Sequence, residues 1–193
     1  MTMTKTLLST VILATAGAAA HAELATYAID PTHTFVTFEA NHMGTSTLRG
    51  RFDKKEGAVT LDKAGKSGSA DITIDIASIS TGVPALDTHL KSKDFFNAEK
   101  FATGKFTTTK LSFSGDKVSE VTGTLTLLGK TQPVTLKATN FNCYVNPMLK
   151  REVCGGDFET TIARSAYGMS FGIADYGLPD NIRLLIQIEA VKQ

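Results

Sequence analysis

The stretch NIRLLIQIEAV, Asn181 to Val191, puts Ile182, Leu184, Ile186, Ile188 and Ala190 at every second position. Side chains of an extended strand alternate between its two faces, so this stretch reads as a strand with one buried and one wet face. The same period of two recurs along the chain. SADITIDIASI sets Ala70, Ile72, Ile74 and Ile76 against Asp71, Thr73 and Asp75. VTGTLTLLG aligns Val121, Leu125 and Leu127, and PVTLKATN aligns Val134, Leu136 and Ala138. DFETTIAR aligns Phe158, Ile162 and Arg164, and VTFEANH aligns Val36, Phe38, Ala40 and His42. With STLRGRF, GAVTLD and GKFTTTKLSF, the pattern predicts eight or nine antiparallel strands punctuated by Gly, Asp, Asn and Lys. Such an all-β chain either stacks two sheets or closes into a barrel, since one open sheet would leave long edges exposed. Periodicity alone leaves both open.

One stretch breaks the period. VPALDTHLKSKDFFN carries Pro84 near a helix start, spaces Leu86 and Leu90 at i and i+4, and predicts a short helix ending near Asn97. GMSFG, Gly168 to Gly172, reads as a flexible turn near one end of the sheet.

The N-terminus, MTMTKTLLSTVILATAGAAAHAELA, has a basic start at Lys5, an apolar run from Leu7 to Ala20, and the small-x-small triplet Ala20-His21-Ala22. It reads as a cleaved secretory leader over residues 1–22, too short in its apolar part to span a bilayer. That assigns residues 23–193 to a single mature, exported and periplasmic domain. The 20 basic and 19 acidic side chains balance once Lys5 departs with the leader. A neutral chain without a basic block argues against nucleic-acid binding and against stable membrane attachment. Cys143 and Cys154 are an even pair in an exported chain, and ten residues including the turn signal Asn146-Pro147 separate them. A disulfide stapling a loop is expected.

Several residues invite a chemical reading. His33 and His42 stand nine positions apart, an odd spacing that puts them on opposite faces of an unbroken strand and argues against a shared metal site, even with His89 as a third ligand. Asp87 and His89 are two apart and do not share a helical face, which weakens a catalytic pair. Arg164 falls on the interior face and needs a partner there. An internal carboxylate such as Asp87, an anionic ligand head group, or exposure at the strand end would each satisfy it. GMSFG, Gly168 to Gly172, has the letters of G-x-S-x-G but reads as a turn and not as a nucleophile elbow, and no glycine-rich phosphate loop leads from a strand into a helix.

Four stretches taken together resemble the YceI-like family of exported lipid- or polyisoprenoid-binding proteins. They are YAIDPTHTFVTFEANHMGTSTLRGRF, SISTGVPALDTHLKSKDFFNAEKF, VTGTLTLLGKTQPVTL and CGGDFETTIARSAYGMSFG, in that order from Tyr27 onward. The resemblance implies an extended, lipocalin-like antiparallel β-barrel of about eight strands with one short helix, holding a long amphiphile inside. Where the family often reads R-S-D-F-G, this chain has Arg164-Ser165-Ala166-Tyr167-Gly168, so the acid that would stand beside Arg164 is missing.

On that fold the expected ligand-facing set is Val36, Phe38, Ile72, Ile74, Leu125, Leu127, Val134, Leu136, Phe158, Ile162, Leu184 and Ile186, with His42 and Arg164 as polar members. Leu86, Asp87 and His89 would stand at the entrance. The expected function is a non-enzymatic periplasmic carrier of a polyisoprenoid, an isoprenoid quinone or a fatty chain, with no metal and no other cofactor. Two other readings stay open: a small enzyme acting on an amphiphile through Asp87, His89 or Arg164, and a ligand-free structural or stress-response protein with a filled core. The oligomeric state is open too, a homodimer included.

Overall fold

A computed structural model describes residues 24–193. The leader read at 1–22 lies outside the described residues. Among the described residues, eleven strands and two helices follow one another. The strands are β1 (Ala25–Ile29), β2 (Phe35–His42), β3 (Ser46–Phe52), β4 (Lys55–Asp62), β5 (Ser67–Asp75) and β6 (Ile79–Ser80). After helix α1 (Pro84–Lys91) come β7 (Thr103–Ser114), β8 (Lys117–Leu127), β9 (Lys130–Val145) and β10 (Glu152–Ala163). Helix α2 (Ile173–Tyr176) and β11 (Asn181–Lys192) complete the chain.

Eight strands close into a ring in the order β1, β4, β5, β7, β8, β9, β10, β11, with β11 returning antiparallel to β1. The other three prolong the first staves of that ring. β2 runs on from β1 along β11, in the register Leu184 to Phe38, while β3 pairs with β2 and β6 with β3. The barrel is therefore an up-and-down meander whose first three staves are each broken once. The stretches that alternate in the sequence correspond to nine of these strands; the short β1 and the two-residue β6 are too brief to show the period.

Aspartates stand at the breaks. After β1, Asp30 Oδ1 accepts a 2.8 Å bond from the Thr32 backbone N–H, an Asx turn beside Pro31. After β5, Asp75 Oδ1 caps the single 3₁₀ turn Ile76–Ser78 through Ala77 N–H at 2.9 Å. Adjacent breaks are bonded to one another, Asp53 N–H to Ser78 O at 3.1 Å and Asp75 N–H to Lys54 O at 3.0 Å. One seam alone joins the two ends of the meander. There Thr34, 1% exposed, exchanges two 3.2 Å bonds with the backbone of Glu189. Lower on the same seam, Arg183 donates to Glu39 at 3.1 Å.

Two departures from the expected elements matter for the site. Helix α1 ends at Lys91, not near Asn97. Ser92 is extended and its N–H returns to His89 O, so Phe95 and Phe96 leave the helix in tight turns. Helix α2 was not foreseen. It is four residues long between Gly172 and Gly177, both left-handed at φ 70° and 65°, and so short that it carries no periodicity.

Candidate lipid-binding lumen

The inward faces of the staves do not fill the barrel. They enclose two adjoining apolar chambers, an outer one of about 390 Å³ and an inner one of about 150 Å³. Val36, Ile74, Leu125 and Leu184 belong to the walls of both and form the waist between them. The outer chamber falls in the size range of small-ligand sites, and apolar cavities the size of the inner one stay dry and accept hydrocarbon guests.

Alternation places most of this wall correctly. Phe38, Leu127 and Ile162 line the outer chamber, and Ile72, Val134, Leu136, Phe158 and Ile186 line the inner one. Gly50 lies directly across from Phe38, where a Cβ would come within 2.2 Å of the ring, so glycine gives the Phe38 ring its space inside the barrel. Leu86 and His89 of α1 stand in the outer wall, as does His42 at the solvent-exposed end of β2. This end is the mouth.

Sequence reasoning missed a part of the outer wall that comes from no strand. Phe95 and Phe96 follow α1, while Met169, Phe171, Leu178 and Pro179 come from the segment between β10 and β11. Met169 is 4% exposed, so GMSFG is a packed turn and not the free one expected. The His89 ring meets those of Phe95 and Phe171 edge to face at centroid distances of 5.1 and 5.2 Å, and Phe95 and Phe171 pack tilted at 5.4 Å.

The polar side chains are spent locally. Arg164 is 5% exposed and opens the 3₁₀ turn Arg164–Tyr167. Its guanidinium donates to three backbone carbonyls, Pro179 O at 2.8 Å, Met169 O at 2.9 Å and Phe171 O at 2.8 Å. It also lies 5.6 Å over the Phe95 ring. Neither a carboxylate from α1 nor a free donor aimed at a head group is what the structure shows; Arg164 ties the mouth segment together. Burial lowers its pKa while the charge of Asp180 opposes the shift. Asp180, in the bend just before β11, thus supplies a negative charge near Arg164 where Ala166 supplies none. Its carboxylate also accepts from Ser165 N–H at 2.8 Å and Ser165 Oγ at 2.7 Å.

Asp87 is corrected as a ligand contact. It lines neither chamber, and its Oδ1 accepts from Thr81 N–H at 2.7 Å and Thr81 Oγ1 at 2.6 Å, holding the entry to α1. His89 Nε2 lies 3.1 Å from Asp94 Oδ2. His33 is not in a strand at all. It sits in the turn between β1 and β2 with Nδ1 2.7 Å from Asp30 Oδ2, because the stave assumed unbroken is interrupted there. Asp87, His89 and Arg164 thus engage three different sets of partners. Among the described residues, no three His, Cys, Asp or Glu side chains gather as a metal site.

At the far end the inner chamber closes on buried residues. Tyr27 is 1% exposed, Leu61 3% and Ala190 2%. The Tyr27 hydroxyl donates to Glu152 Oε1 at 2.5 Å, and Glu152 is in turn bonded to Lys63. Burial and this bond raise the Tyr27 pKa well above the ordinary phenol value. Burial pushes the Glu152 carboxyl up, but the bonds from Lys63 and Tyr27 outweigh it and hold it below its usual range. Cys143 and Cys154 face one another across β9 and β10 as a disulfide, closing the hairpin around Asn146-Pro147.

A closed meander barrel with an apolar interior and a helical rim at one end belongs to the class of barrels with an internal cavity. Within that class the chain belongs to the YceI-like family, whose domain model matches residues 27–190. It is 43% identical to a UPF0312 protein of Photorhabdus laumondii over 64% of this chain and 68% of that one. It is 33% identical to a UPF0312 protein of Pseudomonas aeruginosa over 91% of each chain. Among solved structures it is similar to BcnA of Burkholderia cenocepacia, with TM-score 0.70, 26% identity, and 84% and 99% of the two chains covered. It also shares its fold with a polyisoprenoid-binding domain of Saccharophagus degradans, at TM-score 0.63 and 18% identity over 89% and 100% of the two chains.

Proposed function

We propose that this chain is an exported, periplasmic binding protein that holds one long apolar chain, a polyisoprenoid or a similar amphiphilic lipid, in the barrel lumen and performs no chemistry on it. The observation that carries this reading is the unfilled apolar lumen in two joined chambers, which is hard to reconcile with a protein whose core is simply packed. Burying chain in such a space is favourable by about 25 cal/mol per Å² of apolar surface removed from water. The entrance carries the polar groups His42, Asn41 and His89, so an amphiphile would leave its head group there.

The separate engagement of Asp87, His89 and Arg164 supports binding over catalysis, since a nucleophile or base acting on the ligand needs a partner within hydrogen-bonding reach. The leader pattern and the Cys143–Cys154 disulfide support export to an oxidising compartment. The fold shared with a polyisoprenoid-binding domain agrees with an isoprenoid as the guest. Native mass spectrometry of protein purified from its own host, followed by lipid extraction, tests the reading. An adduct of isoprenoid or fatty-chain mass is expected. A protein that carries none and takes none up from added lipid would sink it.

A further inference from the structure

Tyr27 and Leu61 belong to two cavities at once. On one side they end the apolar inner chamber, and on the other they wall a pocket of mixed character, about 300 Å³, shared with Ala25, Asp62, Lys63, Ala64, Glu152 and Lys192. One layer of side chains therefore separates the lumen from the outside at the closed end. That layer is pinned. Tyr27 lies on β1 and Glu152 opens β10, with β11 between them in the ring, and Lys63 follows β4 on the other side of β1. The chain of bonds from Lys63 through Glu152 to the Tyr27 hydroxyl spans four adjacent staves and holds the phenol ring across the end of the barrel.

We propose that the Tyr27 ring is the floor of the lumen and sets the longest chain the barrel accepts. This rests on the lipid-binding reading above. A chain entering at the mouth fills the outer chamber, passes the waist and ends against the Tyr27 ring. Methylenes added short of that point are buried; those added beyond it have nowhere apolar to go. Affinity therefore rises about fourfold per methylene while there is room, and stops rising at a break point. Removing the ring joins the inner chamber to the pocket behind it and moves the break.

The test measures displacement of a fluorescent fatty acid by a homologous series of straight-chain fatty acids, and by a series of polyprenols, for the wild type and for Tyr27→Ala and Tyr27→Phe. The break is expected at a longer chain in Tyr27→Ala, which should bind the first chain past the wild-type break at least about fourfold more tightly than the wild type does. Tyr27→Phe keeps the ring and should keep the break. Val59, opposite Tyr27 in the register of β1 and β4 and also in the inner wall, gives a test in the other direction if Tyr27→Ala does not fold. Val59→Phe shortens the accepted chain. An unchanged break in a folded Tyr27→Ala, or in Val59→Phe where the alanine variant does not fold, overturns the assignment of the floor while leaving lipid binding intact. A wild type that binds no member of either series overturns the lipid-binding reading itself.

Discussion

Replacing Arg164 by methionine separates two roles that an interior arginine can play. The side chain keeps its apolar reach along the wall but loses the donors that bind Met169 O, Phe171 O and Pro179 O. A buried carbonyl left without its donor costs about 1–3 kcal/mol. The bond to Met169 O is buried and belongs in the upper half of that range, while the other two are partly buried and sit near its lower end. Against this, the substitution relieves the desolvation of a buried guanidinium, a residual cost of about 1 kcal/mol once the three carbonyls and the Phe95 ring have replaced its water. The net loss is about 3 kcal/mol, and for a domain of this size the melting temperature falls by about 6–12 °C. Urea denaturation of the ligand-free protein measures it, with chain uptake followed well below the transition. A variant within about 0.5 kcal/mol of the wild type that nevertheless no longer takes up chains would refute the reasoning, because that is the behaviour of a head-group contact and not of a structural tie.

Leu125→Trp fills the waist between the chambers; it should abolish uptake of long chains but spare short ones, at about 1–3 kcal/mol of overpacking, as native mass spectrometry across a chain-length series will show. Converting Cys143 and Cys154 together to serine should lower stability by about 3 kcal/mol in urea titrations, the loop-closure entropy of so short a ring, without changing uptake of chains short enough to stay in the outer chamber, whose wall holds neither residue. Asp30 is held at about 2 by bonds from Thr32 and His33, so its share of stability is present above the ordinary aspartate value and is lost as pH falls toward 2. The Asp30 partner raises the His33 pKa, so that histidine's share is present at low pH and is lost as pH rises through the raised value. Urea midpoints measured from acid to mildly alkaline pH should therefore show a stability maximum between the two that Asp30→Asn flattens.

Where the chain is extended, its purpose was legible. The alternation in NIRLLIQIEAV and SADITIDIASI names wall residues of both chambers because a strand's side chains have a fixed period and the barrel has one inside. Legibility failed where the backbone leaves that period. Arg164 is read on the interior face by extending β10, and it is interior, yet the strand has already ended at Ala163 and the side chain serves the 3₁₀ turn it begins. Phe95, Phe96, Met169 and Phe171 shape the mouth from turns, where no spacing rule says which way a side chain faces. The doublet Phe95-Phe96 after a helix pattern was the one signal available, since two adjacent exposed phenylalanines would be costly in water. Asp87 was assigned to the entrance because it lies between two inward leucines on a helix; its bond to Thr81 depends on how the chain enters the helix, which no local pattern encodes. The Tyr27 clamp joins residues 125 positions apart, and only the closed ring brings them together.

Every seam of the barrel joins neighbours along the chain except the one that carries Thr34 and Glu189. Hairpins zip locally, but that last seam must bring together residues 155 positions apart, and the entropy of closing so long a loop falls on it alone. Until that seam closes, β11 and the β1–β2 stave are unpaired edges. Those are the edges at which two copies would stick to each other before either became a barrel. The two bonds of Thr34 to Glu189 act on folding as a clasp acts on a bracelet: they decide when the protein stops being a hazard to its neighbours.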